Sequence, residues 1–319
     1  MANNNWRGVT DQLVQEMIDL YNSGCAIQKV ADYFSLSRST VDYWFRKKYV
    51  ELRPNRKWFC NFDFFKDIKT EKQAYWTGVF AGDGNISKNH EISIGLKTSD
   101  EDHLIKFRED IDGDFPIKHT FSKSKSSPGK LFPQSEAVIG SIEMERDLNR
   151  LGYFVSTKTH THRWPTADKI PEELWPHFLR GKFDADGGFV IDRDKHQMSW
   201  GIASNYEFCK EAKLWLIRKC GVGDVEIIPK PGAWKLRYTG CNQTSKLFHL
   251  MYDNATIWMP RKRDKVESFV LEIDERNDKF RLAIEQVKPL RELGYSYEKI
   301  GQTLGIGTVT AWNEVNGLR

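Results

Sequence analysis

One short segment occurs twice in this chain, and that duplication limits what it can fold into. Tyr75-Trp-Thr-Gly-Val-Phe-Ala-Gly-Asp-Gly84 is matched by Phe178-Leu-Arg-Gly-Lys-Phe-Asp-Ala-Asp-Gly187, with Asp186 following Asp83 by 103 residues. Each copy is followed by alternating segments that read as strands, such as Ile92–Leu96 and Trp234–Tyr238. Helical patterns follow at Asp100–Asp110 and Tyr206–Cys220. A lysine then arrives at nearly the same distance: Lys158 is 75 residues after Asp83, and Lys262 is 76 after Asp186. A repeat this regular predicts two copies of one structural unit.

The repeated segments also carry chemistry. Small residues recur four apart, at Gly78 and Gly82 and at Gly181 and Ala185. Such spacing lets two helices approach at backbone contact. Their ends would then bring Asp83 and Asp186 to one point. Two carboxylates so placed repel unless a cation sits between them. A hard cation such as Mg²⁺ takes oxygen ligands and keeps positions for water and phosphate. It can activate a water and stabilise a leaving oxygen.

These segments resemble the two signature helices of the LAGLIDADG homing endonucleases. The second copy ends Asp184-Ala-Asp-Gly187 as the family does, whereas Ala81 replaces the first Asp in the first copy. The surrounding stretches resemble the family too: Leu151–Thr159, Trp164-Pro165, Pro171–Gly181 and Tyr252–Lys262. The resemblance implies an α+β fold of two pseudo-symmetric αββαββα repeats forming a saddle of antiparallel sheets. It implies a monomeric, site-specific double-strand DNA endonuclease that uses Mg²⁺, or Mn²⁺ in its place, and leaves 3′ overhangs. It makes Asp83 and Asp186 metal ligands, with the backbone carbonyls of Gly82 and Ala185 as further ligands, and Lys158 and Lys262 active-site lysines. Two alternatives stay open: a non-cutting DNA-binding regulator on the same fold, and an RNA maturase acting on a host intron RNA.

The strand pattern assigns contacts to double-stranded DNA. In Trp234–Tyr238, Trp234, Leu236 and Tyr238 share one face, while Lys235 and Arg237 face the other way. Lys97, Lys118, Arg193, Arg261 and Arg263 are further candidates. His160 and His162 form an HxH without an evident third metal ligand, so phosphate contact or simple exposure is the better reading.

The chain ends hold a second, weaker repeat. Ala26–Val41 aligns without gaps on Ser296–Ala311. Each is preceded by an amphipathic helix ending at glycine: Leu13–Tyr21 before Gly24, and Ile284–Leu293 before Gly294. In the first, Lys29–Phe34 reads as a helix and Ser37 as the N-cap of the next. Val30, Leu36, Val41 and Trp44 would form the core. Arg38, Ser39, Thr40, Asp42 and Tyr43 would be exposed, with Arg46 and Lys47 close by. This resembles a helix-turn-helix. In the second copy Thr308, Thr310 and Asn313 take the exposed places. The expected organisation is a helix-turn-helix over 1–53, a linker at 54–69, repeats at 70–165 and 166–273, a linker helix at 274–281, and a second helix-turn-helix over 282–319.

Composition excludes more than it assigns. The net charge of +4 comes from 48 basic and 44 acidic residues. The average hides segregation: Arg38–Trp58 carries seven basic residues against two acidic, and Ile117–Ser135 holds four lysines and no acid. Phosphate contacts by such patches would make binding salt-sensitive. No apolar run approaches the roughly 18 residues of a membrane span. The five cysteines lack CxxC spacing, which argues against a disulfide scaffold or a structural zinc site and fits a reducing, cytoplasmic setting. Met1–Trp6 shows no apolar leader pattern.

Overall fold

The computed structural model describes residues 9–23, 25, 27–50, 58–87, 89–123, 129–152 and 162–318. The chain divides into Met1–Lys57 and Trp58–Arg319. In the first unit, Thr10 caps α1 (Asp11–Asn22) by accepting from the Leu13 amide. After α2 (Ile27–Tyr33), Ser37 caps α3 (Arg38–Lys47) through the Thr40 amide. Val14, Met17, Tyr21, Val30, Ala31, Val41 and Phe45 form one core. Leu36 and Trp44 pack at its margin, and Phe45 takes the central place expected for Trp44. Phe45 lies four residues after Val41, on the same helical stripe. Thr40 lies one turn before Trp44 and is turned inward beside it. It is buried, with its hydroxyl 2.7 Å from Ser37 Oγ, and so is not the exposed base-reading residue expected.

The second unit is built around two helices that are buried almost all round. Thr70 and Gln73 form a capping box that starts α4 (Glu71–Gly82). In this helix every residue from Ala74 to Ala81 is buried. Its chain continues as β1 (Gly84–Ile86), β2 (Glu91–Lys97), α5 (Glu101–Asp110), β3 (Lys118–Lys123), β4 (Leu131–Gly140) and α6 (Ile142–Leu151). The second motif helix, α7 (Trp175–Asp186), carries Pro176 in its first turn. Then come β5 (Gly187–Asp192), β6 (Gln197–Ser204), α8 (Tyr206–Cys220), β7 (Ile227–Lys230), β8 (Ala233–Thr239) and α9 (Cys241–Tyr252). Both passages read αββαββα. The sheets have matching antiparallel orders, β1-β2-β4-β3 and β5-β6-β8-β7. The expected two-repeat α+β fold is therefore present.

Phe64, Phe65 and Ile68 pack in this unit's core, so 58–69 belongs to it rather than to a linker. The stretch expected as a separate linker helix, 274–281, is the interior of α10 (Pro260–Glu285), whose Val266, Phe269, Val270 and Ile273 are buried. The expected helix Ile284–Leu293 is divided at Gln286, where α11 (Val287–Glu292) begins. Then α12 (Tyr297–Leu304) and α13 (Thr308–Val315) close a small core of Val287, Ile300 and Ala311.

Helix α7 carries three buried charges, each with a partner. Arg180, fully buried, donates to the carbonyls of Ile257 (2.8 Å) and Met251 (2.5 Å) and to Glu71 Oε1 (2.5 Å). Glu71 also accepts from the amide and hydroxyl of Thr256. Removing one partner of a buried pair leaves the other charge uncompensated. Arg180→Met is therefore expected to cost about 3–5 kcal/mol, read as a lower denaturant midpoint. An unchanged midpoint would contradict this pairing.

Asp184 accepts from the Tyr75 hydroxyl and the Met259 amide, both at 2.8 Å, and burial pushes its carboxyl up to about 6. With the Tyr75 hydroxyl committed to Asp184, His103 Nε2 is the donor in their 2.6 Å hydrogen bond. Burial first, then Lys106 and Arg261, push the His103 imidazole down to about 3 from 6.5. The unfolded chain thus takes up this proton near pH 6.5 while the folded one does so near 3. Stability is lost as pH falls through that window. His103→Gln is expected to flatten unfolding free energy against pH between 6.5 and 4 by up to about 1.4 kcal/mol per pH unit. Equal slopes for the two proteins would count against a neutral buried imidazole.

Candidate metal and nucleic-acid site

Glycine makes the helix crossing possible. A Cβ on Gly181 would fall within the Tyr75 carbonyl oxygen and stand 2.9 Å from the Val79 amide nitrogen. A Cβ on Gly78 would collide with the Phe178 carbonyl oxygen and stand 2.8 Å from the Lys182 amide nitrogen. At the far end of the crossing, a Cβ on Gly82 would collide with Ala185 Cβ and lie 3.0 Å from Asp186 Oδ2. Asp83 follows Gly82 as the C-cap of α4, and Asp186 ends α7. The two carboxylates therefore stand at one junction.

Lys262, in the first turn of α10, sits at that junction. Its Nζ donates to the carbonyls of Phe183 (2.9 Å), Gly187 (2.8 Å) and Ala185 (3.4 Å). A cation at a helix C-terminus is favourable. Burial lowers its pKa, opposed by Asp184, Asp83 and Asp186, so it lies in the field of both motif ends. Lys158 and His160 fall outside the described residues. His162 is buried, and its carbonyl accepts from Asn205 Nδ2 at 2.8 Å. Both residues line a cavity of about 170 Å³ together with Ala81, Gly82, Lys182 and Asp186.

Among the described residues, no group of three or more His, Cys, Asp or Glu is placed to hold a metal. The donors that the two motif ends bring to the junction are two carboxylates and the carbonyls of Gly82 and Ala185, the last also accepting from Lys262. All are oxygens, and this set suits a hard divalent cation rather than zinc.

The registers sort the expected DNA contacts by face. In the first sheet, Ile92, Ile94 and Leu96 face the core, so Lys97 lies on the opposite face. There it is paired with Gln134, while Lys118 is paired with Glu136 two residues along β4. Both lysines are exposed. In the second sheet, Leu236 and Tyr238 are fully buried and Trp234 partly so. Lys235 and Arg237 take the other face opposite Ala203 and Gly201, as the alternation predicts. Arg193 is exposed in the β5–β6 turn, 3.7 Å from Glu272.

Several expected contacts are already engaged within the protein: Arg237 donates to Ser199 Oγ at 3.3 Å, and Arg38 Nε stands 3.7 Å from Asp42 Oδ2. Arg261 Nε donates to Asp100 Oδ2 at 2.8 Å, which ties α10 to the first repeat. Arg263 donates to Glu267 at 2.5 Å and lies over the Trp258 ring at 4.3 Å. In the first unit Arg38, Ser39, Tyr43, Arg46 and Lys47 are exposed on or at the end of α3. Lys47 Nζ rests over the Trp44 ring at 4.5 Å. Thr308 is exposed, while Thr310 and Asn313 are half-buried.

Two αββαββα passages, joined by glycine-dependent contact of their first helices, decide the architecture. The chain has the two-repeat LAGLIDADG fold. No family model and no curated protein matches it. Solved structures similar to it include the homing endonuclease I-WcaI bound to its DNA recognition sequence, at 17% identity and a TM-score of 0.47, covering 68% of this chain and 97% of that one. The LAGLIDADG homing endonuclease I-LtrWI bound to target DNA is 11% identical, with a TM-score of 0.43 over 68% and 92% of the two chains. Full-length WhiA from Thermatoga maritima is 12% identical, with a TM-score of 0.38 over 80% and 93%. Among the described residues, no helix is long and apolar enough to cross a membrane.

Proposed function

We propose that this chain is a site-specific, metal-dependent endonuclease acting on double-stranded DNA. The observation that carries the reading is the junction of Asp83 and Asp186, created by contact between Gly82 and Ala185. Two sheets flank it and present Lys97, Lys118, Lys235 and Arg237 on faces turned away from the core. On this reading Asp83 and Asp186, with the carbonyls of Gly82 and Ala185, hold Mg²⁺ or Mn²⁺. When bound, the cation supplies charge neutralisation at the scissile phosphate and a more acidic water. Lys262 fixes the end of α7 by holding the carbonyls of Phe183 and Ala185 and that of Gly187 just beyond, and so positions the Ala185 oxygen. The sheet lysines and arginines neutralise phosphates and read base edges.

Arg38, Ser39, Tyr43, Arg46 and Lys47 extend the contact through α3 as a helix-turn-helix, with Thr308, Thr310 and Asn313 in the second such module. Cuts one on each strand across the minor groove would leave 3′ overhangs. The test is incubation of the protein with Mg²⁺ and duplex DNA joining the sequences that flank its gene. A double-strand cut that disappears with a chelator supports the reading. Specific binding without a cut would favour a regulator on the same fold.

A further inference from the structure

The symmetry of the two motif helices fails at one buried position beside the carboxylates. Lys182 stands 103 residues after Val79, in the matching place of the second motif. Both side chains are almost completely buried. Val79 is apolar, whereas Lys182 places an ammonium in the junction. Its Nζ is 2.5 Å from Asp186 Oδ2 on its own helix and 3.2 Å from the Ala81 carbonyl on α4. The Phe208 ring lies 5.5 Å from the same nitrogen. Lys182 thus binds the crossing from one helix to the other, on the wall of the cavity it shares with Asp186, Ala81 and Gly82.

A buried ammonium needs an opposite charge, and a carboxylate in a close helix crossing needs a cation. We propose that Lys182 is the resident cation of the Asp186 half of this centre. A divalent ion binding at Asp186 must displace it or share its carboxylate. This proposal rests on reading the junction as a metal centre. It makes the two halves unequal: Asp186 meets an incoming ion with its charge already answered by Lys182, and the first motif offers only Val79 at the equivalent place.

The test is titration of the full chain with Mn²⁺ alone, followed by calorimetry and by melting. Wild type, Lys182→Met, Lys182→Met/Asp186→Asn and Asp83→Asn are compared. Lys182→Met is expected to bind Mn²⁺ more tightly by on the order of tenfold or more, because a close positive charge is gone. The gain should vanish in Lys182→Met/Asp186→Asn. Without metal, Lys182→Met should melt below wild type, and saturating Mn²⁺ should raise its melting temperature by more than it raises that of wild type. If Lys182→Met does not fold, Lys182→Gln takes its place in every comparison. Mn²⁺ binding that weakens in Asp83→Asn but is equal in wild type and Lys182→Met overturns the role of Lys182 and leaves the metal centre standing. Absence of Mn²⁺ binding in every protein overturns both.

Discussion

Gly181→Val is expected to prevent the second unit from folding at all. The β-carbon alone would fall within the Tyr75 carbonyl oxygen and stand 2.9 Å from both the Tyr75 carbonyl carbon and the Val79 nitrogen. These are backbone atoms of α4, so no rotamer change relieves the clash. The helices cannot separate cheaply, because Tyr75, Trp76, Phe178 and Phe183 are all fully buried around the crossing. Overpacking a core ordinarily costs about 1–3 kcal/mol through side-chain shifts. Moving a whole helix lies above that range, and total stability is only about 5–15 kcal/mol. Gly188→Ala is the control, since nothing lies within 4 Å of a Cβ there. Circular dichroism melts should show no cooperative transition for Gly181→Val in the second unit and a near-normal one for Gly188→Ala. A Gly181→Val protein melting like wild type would mean that the helices do not meet at this contact.

The crossing was legible in the sequence because its requirements are local. Two helices in backbone contact need small residues one turn apart, and Gly78, Gly82, Gly181 and Ala185 supply them in a repeated setting. Strand faces were legible for the same reason: Leu236 and Tyr238 alternate with Lys235 and Arg237, and the period of two places them directly. Buried charges were not legible, because their meaning lies in distant partners. Arg180 looks like an exposed helical arginine until Glu71, 109 residues earlier, meets it. Arg261 looks available to DNA until Asp100, 161 residues earlier, takes it. Lys182 carried one local signal, a charge where the first copy of the motif has Val79. Thr40 is buried because it shares a helical stripe with Trp44, which packs at the margin of the core. Gly305 and Gly307 stand between helices. Gly305 closes α12 with a positive φ of 67°, and Gly307 precedes α13.

The second large effect concerns the carboxylates. Asn keeps the shape of Asp at each helix end and removes the charge a cation needs. Asp83→Asn and Asp186→Asn are therefore each expected to lower double-strand cleavage by at least ~10³-fold, since several kcal/mol of charge stabilisation go with the cation. DNA binding should persist, because the groups proposed to meet phosphates, Lys97, Lys118, Lys235 and Arg237, lie elsewhere, on the sheets. The two variants should differ in stability. Asp186→Asn also removes the carboxylate that answers the buried Lys182 ammonium, so it should melt below Asp83→Asn.

On the proposed function, both motif ends serve one metal centre. Its most direct test is Mg²⁺-dependent cleavage of one duplex that wild type cuts, repeated with Asp83→Asn and with Asp186→Asn at concentrations where all three bind it. Wild type should break both strands, and neither variant should make the double-strand break. Double-strand cleavage at the wild-type rate by either variant would contradict it.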